Sequence, residues 1–235
     1  MYKFATGVRD AKGRQGYVSV GQEVAAVDLA NGSILWRRNE IGRLIAATPT
    51  RLLTLDQDGK DFVLRLFNAA TGTDAGRVPN IGMPDWAHEV GKEADAVRIE
   101  VFENPAGIEI FWRVGKPYRG GAPPPARITA KACNEITGAI SIDPESGQVV
   151  PTPARAASTQ EVPPVPPELG PYAPSTPDVV AIDRIGDRLF VLKTQAQAGQ
   201  SALVVLEARD ARDGSTIWET PLAEIEKTRP KPQRK

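Results

Sequence analysis

The fold is decided by the stretch Ala26-Val27-Asp28-Leu29-Ala30-Asn31-Gly32-Ser33-Ile34-Leu35-Trp36. Two short apolar runs flank a polar segment, which is the pattern of strand, tight turn and strand. The Asp28 carboxylate can accept hydrogen bonds from backbone amides just ahead of it in the chain. Gly32 can adopt a positive φ without the steric penalty of a Cβ atom. The stretch therefore predicts a β-hairpin that ends in a large aromatic residue, Trp36.

The same turn occurs four times along the chain. An Asp or Asn stands four residues ahead of a glycine in Asp28 and Gly32, Asn68 and Gly72, Asp143 and Gly147, and Asp210 and Gly214. In the first and last copies a tryptophan, Trp36 or Trp218, follows the glycine by four residues. A sheet exposed on both faces is not stable by itself, so successive sheets must stack. We expect both tryptophans to fill the gaps between neighbouring sheets.

Short apolar runs between 21 glycines and 21 prolines predict an all-β chain built from propeller-type blades of four antiparallel strands. We expect one domain over residues 1–222, with blades at about 10–40, 41–82, 95–152 and 178–222. A proline-rich connector is predicted at 152–177 and a basic disordered tail at 223–235. Only three strands are evident in the first blade, and no strand after the fourth blade is evident to complete it.

Composition excludes several function classes for this sequence of 235 residues. Its 29 basic and 29 acidic residues cancel, which argues against nucleic acid or anionic lipid as a partner. The only cysteine, Cys133, lies far in sequence from the only histidine, His88, so a catalytic Cys–His pair is not expected. No apolar run is long enough for a transmembrane segment. The first residues show no signal peptide, which leaves both a cytosolic protein and an exported, processed one open.

One run of carboxylates resembles a metal site. Asp56, Asp58 and Asp61 are closely spaced, but a calcium loop also needs a distal bidentate Glu, and Lys60 adds an opposing charge. Asp58-Gly59 between two apolar runs is typical of a hairpin turn, which is the interpretation we favour. The sequence contains no phosphate-binding glycine loop, no zinc-protease motif and no nucleophile elbow. It predicts no catalytic residues and no cofactor.

The four turns resemble the PQQ-like β-propeller repeats, whose blades end in a strand, an Asp/Asn-x-x-Thr/Asn/Ser-Gly turn and a strand that ends in Trp. Residues 28–36 and 210–218 match the whole repeat, whereas 68–72 and 143–147 match only the turn. The resemblance covers residues 16–222 and implies blades stacked around a central channel. Family members usually close rings of seven or eight blades, and some bind the quinone cofactor. A quinoprotein dehydrogenase would need a longer chain, a calcium site and commonly an adjacent cysteine pair.

From these observations we expect a non-enzymatic propeller that acts as a protein-interaction or scaffold module through its long loops. The alternative is a propeller that binds a small molecule or a quinone cofactor, with a degenerate enzyme as one form of it. Four blades form a small ring, a fragment, or half of an eight-bladed ring. We expect a homodimer in which each copy's last blade meets the other's first, because apolar faces near Trp218 and Tyr17-Val18 would otherwise be uncovered.

The position of the two tryptophans in the repeat generates the first prediction. Trp36→Ala and Trp218→Ala should each lower the free energy of unfolding by about 3–5 kcal/mol, because each truncation removes a buried aromatic ring. Chemical denaturation of the two variants measures this change. A loss below about 1 kcal/mol in both would show that neither ring lies between sheets.

Overall fold

The computed structural model describes residues 6–10, 12–79, 81–84, 87, 97–104, 107–114, 136–150, 179–197 and 201–226. These residues form sixteen β-strands in four antiparallel sheets of four strands each. In every sheet the strands lie in the order in which the chain visits them, so each sheet is an up-and-down meander. The prediction of an all-β fold with propeller-type blades is confirmed.

The strand bounds are as follows. The first sheet contains β1 (Thr6–Arg9), β2 (Gln15–Val20), β3 (Glu23–Asp28) and β4 (Ile34–Asn39), and the second contains β5 (Arg43–Ala47), β6 (Arg51–Asp58), β7 (Asp61–Asn68) and β8 (Asp74–Val78). The third contains β9 (Val97–Asn104), β10 (Gly107–Val114), β11 (Ile136–Ile142) and β12 (Val149–Val150). The fourth contains β13 (Val179–Ile185), β14 (Arg188–Ala196), β15 (Ser201–Asp210) and β16 (Thr216–Glu226).

Two strands differ from the sequence-based expectation. β1 supplies a fourth strand to the first sheet, where only three were expected, because its sequence Thr-Gly-Val-Arg is too short and polar to show a strand pattern. β16 runs to Glu226, so the first residues of the predicted tail at 223–235 belong to a strand that pairs with β15. The predicted connector at 152–177 lies outside the described residues.

The chain divides into two compact units. One contains β1–β5, the turn Ala70–Gly72 and β13–β16, and the other contains β6–β12. The assignment of residues 1–222 to a single domain stays a prediction.

Within the first of these units, the fourth sheet packs against the first sheet. One cluster of buried apolar side chains joins them, and it includes Val18, Val27, Leu29, Phe190, Leu192 and Leu206. The Thr220 hydroxyl donates a hydrogen bond of 2.6 Å to the Gly32 carbonyl oxygen, although the two residues are 188 positions apart in the chain. Arg37 also donates to the carbonyl oxygen of Leu222. The two sheets therefore share a core and are joined by two hydrogen bonds, of which the one from Thr220 is buried.

Motif glycines provide the surface on which the tryptophans pack. Gly32 has a φ of 80°, and a Cβ atom built there would lie 2.6 Å from Cε3 of Trp218. Gly72 has a φ of 69°, and its Cβ would lie 2.8 Å from Cδ2 of Trp36. Such distances are shorter than a side chain tolerates. Glycine is therefore required at both positions by backbone conformation and by the contact with the indole ring.

A second regularity lies within each of these two sheets. Neighbouring residues on the middle strands and the outer strand form the rows Tyr17-Ala26-Trp36 in the first sheet and Phe190-Ala208-Trp218 in the fourth. In both rows the two ring centroids are 5.9 Å apart, across a small central alanine. This tilted arrangement is a favourable geometry for aromatic pairs, and it fixes where each indole ring lies.

The premise of the dimer prediction is wrong. It assumed that apolar faces near Trp218 and near Tyr17-Val18 are uncovered within one chain. Tyr17 and Val18 are buried, and Trp218 lies over Gly32. The last sheet thus covers the first sheet of its own chain, and no second copy is needed for that contact. A homodimer through another surface stays a prediction.

The contact between Gly32 and Trp218 generates a prediction with an internal control. Gly21 also has a positive φ, 67°, but no atom lies within 4 Å of a Cβ built there. Gly21→Ala should cost only the strain of a left-handed alanine, about 1–2 kcal/mol. Gly32→Ala should cost about 1–3 kcal/mol more, because the methyl group overpacks against the indole ring. Urea denaturation measures both losses, and equal losses would contradict the packing role of Gly32.

Candidate functional site

All four motif turns place the glycine in the left-handed region. The φ values are 80° at Gly32, 69° at Gly72, 70° at Gly147 and 73° at Gly214. In the three copies that begin with Asp, one carboxylate oxygen accepts a hydrogen bond from the backbone N–H two residues further on. These bonds are 2.8 Å from Ala30 to Asp28, 2.9 Å from Glu145 to Asp143 and 2.8 Å from Arg212 to Asp210. In the remaining copy the Asn68 N–H donates to the Thr73 carbonyl oxygen, 2.8 Å away.

The polar residue in front of the glycine adds a second bond in these turns. Ser33 N donates to the Asn31 side chain, and Ser215 N donates to Asp213, both over 2.8 Å. At Asp143, hydrogen bonds from the Ser146 hydroxyl and from the Glu145 N–H lower the pKa of the carboxyl group. The motif residues are thus occupied in holding the turns, which is a structural use of their side chains.

A β-bulge follows the glycine in three of the turns, and the sequence analysis did not foresee it. Leu35, Ala75 and Ile217 are the extra residues. In the first sheet Ala26 pairs with Trp36 and Val27 pairs with Ile34, so Leu35 has no partner residue in the ladder. Leu35 is consequently 42% exposed. The sequence did contain a signal for the bulge, namely the run Ile34-Leu35-Trp36. In a regular strand neighbouring side chains point to opposite faces, so Leu35 and Trp36 cannot both face the core.

The exposed Leu35 lines an open groove of about 580 Å³ in the unit that contains the first and fourth sheets. Three turns provide most of its wall: the β1–β2 turn, the motif turn of the first sheet and the β13–β14 turn. The lining residues from these turns and their flanks are Gly13, Arg14, Gln15, Asp28, Leu29, Ala30, Ile185, Arg188 and Phe190. We define this surface as the turn groove. Binding sites commonly form on turns that a rigid scaffold positions.

Two short networks hold the turns in place. Asp10 is buried, and its carboxylate accepts hydrogen bonds from the backbone N–H groups of Arg14 (2.7 Å) and Gln15 (3.1 Å). On the fourth sheet, Nη1 of Arg188 donates to the carbonyl oxygens of Leu29 (3.1 Å) and Ala30 (2.9 Å). Arg188 therefore connects the beginning of β14 to the motif turn of the first sheet.

The turn groove combines apolar surface with cationic groups. Leu35, Ile185 and Phe190 provide apolar contacts, while Arg14 and Arg188 provide guanidinium groups. The Arg14 side chain is 61% exposed, with its Nε atom 3.5 Å from the Asp10 carboxylate. Asp28 is the one carboxylate of the lining, and its Oδ1 is already bonded to the Ala30 N–H. The arrangement can accept an apolar side chain next to an acidic one.

The carboxylates proposed as a weak metal candidate do not converge. Asp58 and Asp61 pair across the end of the hairpin between β6 and β7, and Gly59 in its turn has a φ of 62°. Asp56 accepts a hydrogen bond of 2.9 Å from the Thr54 hydroxyl, and Asp58 forms an ion pair with Arg77. The run is therefore a hairpin, and the carboxylates of Asp56 and Asp58 have partners within the protein.

Among the residues that the structure describes, no group of three or more His, Cys, Asp or Glu side chains is arranged to hold a metal ion. In the same part of the chain, no helix has the length and hydropathy to cross a membrane. His88 and Cys133 lie outside the described residues.

A buried charge network lies in the fourth sheet. The Glu207 side chain is only 1% exposed, and its carboxylate accepts from Lys193 Nζ (2.7 Å), Arg209 Nη2 (3.0 Å) and Thr216 Oγ1 (2.5 Å). Lys193 also contacts the exposed Glu219 at 3.0 Å. Burial by itself would raise the pKa of Glu207, but the hydrogen bonds from Lys193, Thr216 and Arg209 outweigh it and hold the pKa below its ordinary value of 4.5. The network joins Lys193 of β14, Glu207 of β15 and Glu219 of β16 across the sheet.

No family model and no curated protein matches the chain. Solved structures do match it. BamB from Moraxella catarrhalis is 8% identical over 91% of this chain and 60% of its own, with a TM-score of 0.39. KlAtg21, in a complex with the coiled coil of AgAtg16, is 9% identical over 92% of this chain and 55% of its own, with a TM-score of 0.34. The uncharacterized protein lmo1340 from Listeria monocytogenes is 8% identical over 94% of this chain and 67% of its own, with a TM-score of 0.35.

The chain thus spans about 60% of the length of BamB.

The Glu207 network predicts a specific pH dependence of stability. Because the folded-state pKa of Glu207 is depressed, its contribution is complete above the unfolded-state pKa and is lost as the pH falls through the folded-state value. Glu207→Gln should destabilise the protein by about 1–3 kcal/mol at pH 7. The difference from wild type should shrink as the pH falls from about 5 to about 3.

Denaturation curves across this pH range test the prediction. Glu219→Gln is the matched control, because Glu219 binds the same lysine from an exposed position, 40% accessible. It should cost less than about 1 kcal/mol at pH 7. A Glu207→Gln curve that runs parallel to the wild-type curve at every pH would contradict the assignment.

Proposed function

We propose that the chain is a non-enzymatic protein-interaction module that binds a short segment of a partner protein in the turn groove. The observation that carries this proposal is the position of Leu35. A bulge turns this large apolar side chain outward, into a groove of about 580 Å³ that has guanidinium groups in its wall. Monomeric proteins seldom present such a combination of apolar and cationic groups in a concave surface unless it contacts something.

The groove is suited to binding because its wall is already ordered. The Asp10 carboxylate fixes the turn that carries Arg14, and the motif hydrogen bonds fix the turn at Asp28. Arg188 joins that turn to β14 through two carbonyl oxygens. A partner segment would therefore meet a preformed surface and would lose little affinity to ordering of the protein.

The chemistry of the groove defines the partner segment. An apolar side chain of the partner would pack on Leu35, Ile185 and Phe190. A neighbouring Asp or Glu would bind Arg14, whose exposed guanidinium can form charge-assisted hydrogen bonds with a carboxylate. We therefore propose a short acidic segment with one large apolar anchor as the preferred partner. The quinone-cofactor alternative rests on the family resemblance and stays a prediction.

Selection from a library of displayed peptides, followed by titration of one selected peptide, tests the proposal. We expect the selected peptides to share a large apolar residue within a few positions of Asp or Glu. Leu35→Asp should lower the affinity for the titrated peptide by more than about tenfold, because it places a carboxylate against the apolar anchor of the peptide. Arg14→Glu should weaken peptide binding by a similar factor and should reverse its salt dependence, because added salt would then screen a repulsion between two carboxylates.

Arg212→Glu provides the matched control, because Arg212 is an exposed arginine on the motif turn of the fourth sheet and does not line the groove. It should leave peptide affinity unchanged. Selected peptides whose affinity is insensitive to both Leu35→Asp and Arg14→Glu would show that the turn groove is not the binding site.

A further inference from the structure

A second cavity lies in the same unit and has a different character. It has a volume of about 240 Å³ and is bounded by strands β1 and β2 of the first sheet and β13 and β14 of the fourth. Its wall is mainly apolar and includes Leu29, Ile182, Ile185, Phe190, Leu192 and Leu206. Sheets that pack together normally leave few spaces larger than a water molecule between them, so this pocket, which is partly open to solvent, is large enough to admit a small ligand.

The size of the cavity limits that ligand. A closed apolar cavity of about 150 Å³ holds benzene, and sites for drug-sized ligands begin at about 300 Å³. The cavity lies between these values. One ring with a short substituent, or two fused rings, matches the available space.

The charges at the cavity indicate an uncharged ligand. Arg9 and Asp183 are the charged residues of its lining, and Nε of Arg9 lies 2.5 Å from Oδ2 of Asp183. Both side chains are partly exposed, and the two opposite charges neutralise each other. A ligand with a net charge would have to compete with this ion pair and lose its hydration in an apolar space. A single polar group on an uncharged ligand could instead form a hydrogen bond with either member of the pair.

Gly7 supplies an independent observation. It lies inside strand β1, where glycine is unfavourable, and its φ is outside the left-handed region. A Cβ built there would be 3.4 Å from the Tyr17 carbonyl oxygen and 3.8 Å from Cγ2 of Val18, which are ordinary contacts with the cavity wall. A Cβ at Gly16, in contrast, would lie 2.9 Å from Cδ2 of Leu29, so a substitution there would displace that side chain. Neither backbone nor packing requires Gly7, and its missing side chain leaves the cavity open.

We propose that this cavity binds a small uncharged molecule with an apolar ring and one hydrogen-bonding group, whose polar end lies at Arg9 and Asp183. The cavity adjoins the turn groove and shares Leu29, Ile185 and Phe190 with it, but its paired charges select a different class of ligand from the acidic peptide segment proposed for the groove. It therefore adds a small-molecule site that does not depend on the proposed peptide function.

The test uses three ligands of nearly equal size: benzyl alcohol, benzoate and benzylammonium. Each is titrated into the full chain labelled with ¹⁵N while the backbone amide shifts are recorded. Benzyl alcohol should give saturable shifts at Gly7, Val8 and Ile182, and the two ions should bind at least about tenfold more weakly. Benzoate or benzylammonium binding as tightly as benzyl alcohol would overturn the assignment of ligand class, and no saturable binding of any of them would overturn the site.

Gly7→Val then locates the site. Valine suits a strand and should preserve the thermal midpoint, while its side chain occupies the cavity and should reduce benzyl alcohol affinity by at least about tenfold. Ala196→Val is the control, because Ala196 is an exposed strand residue outside the cavity wall and its substitution should leave affinity unchanged. If Gly7→Val does not fold, Ala181→Phe fills the cavity instead, because Ala181 is an exposed residue of β13 in the cavity wall. If a folded blocking variant still binds benzyl alcohol with wild-type affinity, the proposal is contradicted. Arg14→Glu, which changes the turn groove, should leave the affinity for benzyl alcohol unchanged.

Discussion

The described part of this fold depends on one type of contact, in which an indole ring packs directly on the backbone of a glycine. Gly32 lies under Trp218, and Gly72 lies under Trp36. The turn needs glycine for its positive φ, and the neighbouring sheet needs glycine because the ring approaches too closely for a methyl group. A single residue thus satisfies a local requirement and a tertiary one. This double use accounts for the two places where the motif glycine of one sheet meets the tryptophan of a neighbouring sheet.

The same repeat generates the candidate site. The bulge after Gly32 gives half-buried Trp36 the register that places its ring over Gly72, and it leaves Leu35 exposed. Arg188 of the fourth sheet reaches the carbonyl groups of this motif turn and fixes the adjoining wall. The groove is therefore a consequence of how the two sheets meet. Its apolar and cationic groups are positioned by interactions that also stabilise the fold.

Local features were predictable from sequence and distant ones were not. The motif turns follow from the spacing of Asp and Gly, because the hydrogen bonds involved span only a few residues. The strand β1 was missed because four residues with one apolar side chain carry too little pattern. The groove was missed because Arg188 and Leu29 are 159 positions apart, and no local pattern reports which sheets become neighbours. The outward direction of Leu35 was missed because a bulge breaks the alternation on which strand predictions rest.

The contact between the first and fourth sheets has a consequence for the order of synthesis. Thr220 and Gly32 are separated by 188 residues, so the first sheet leaves the ribosome long before the sheet that covers it. At about 5–20 residues per second, the delay is on the order of 10–40 s. During that time the apolar face that includes Val18 and Val27 has no partner from its own chain. Closure of such a long loop also slows folding after release. The newly made chain therefore exposes this face of the first sheet until the fourth sheet is translated.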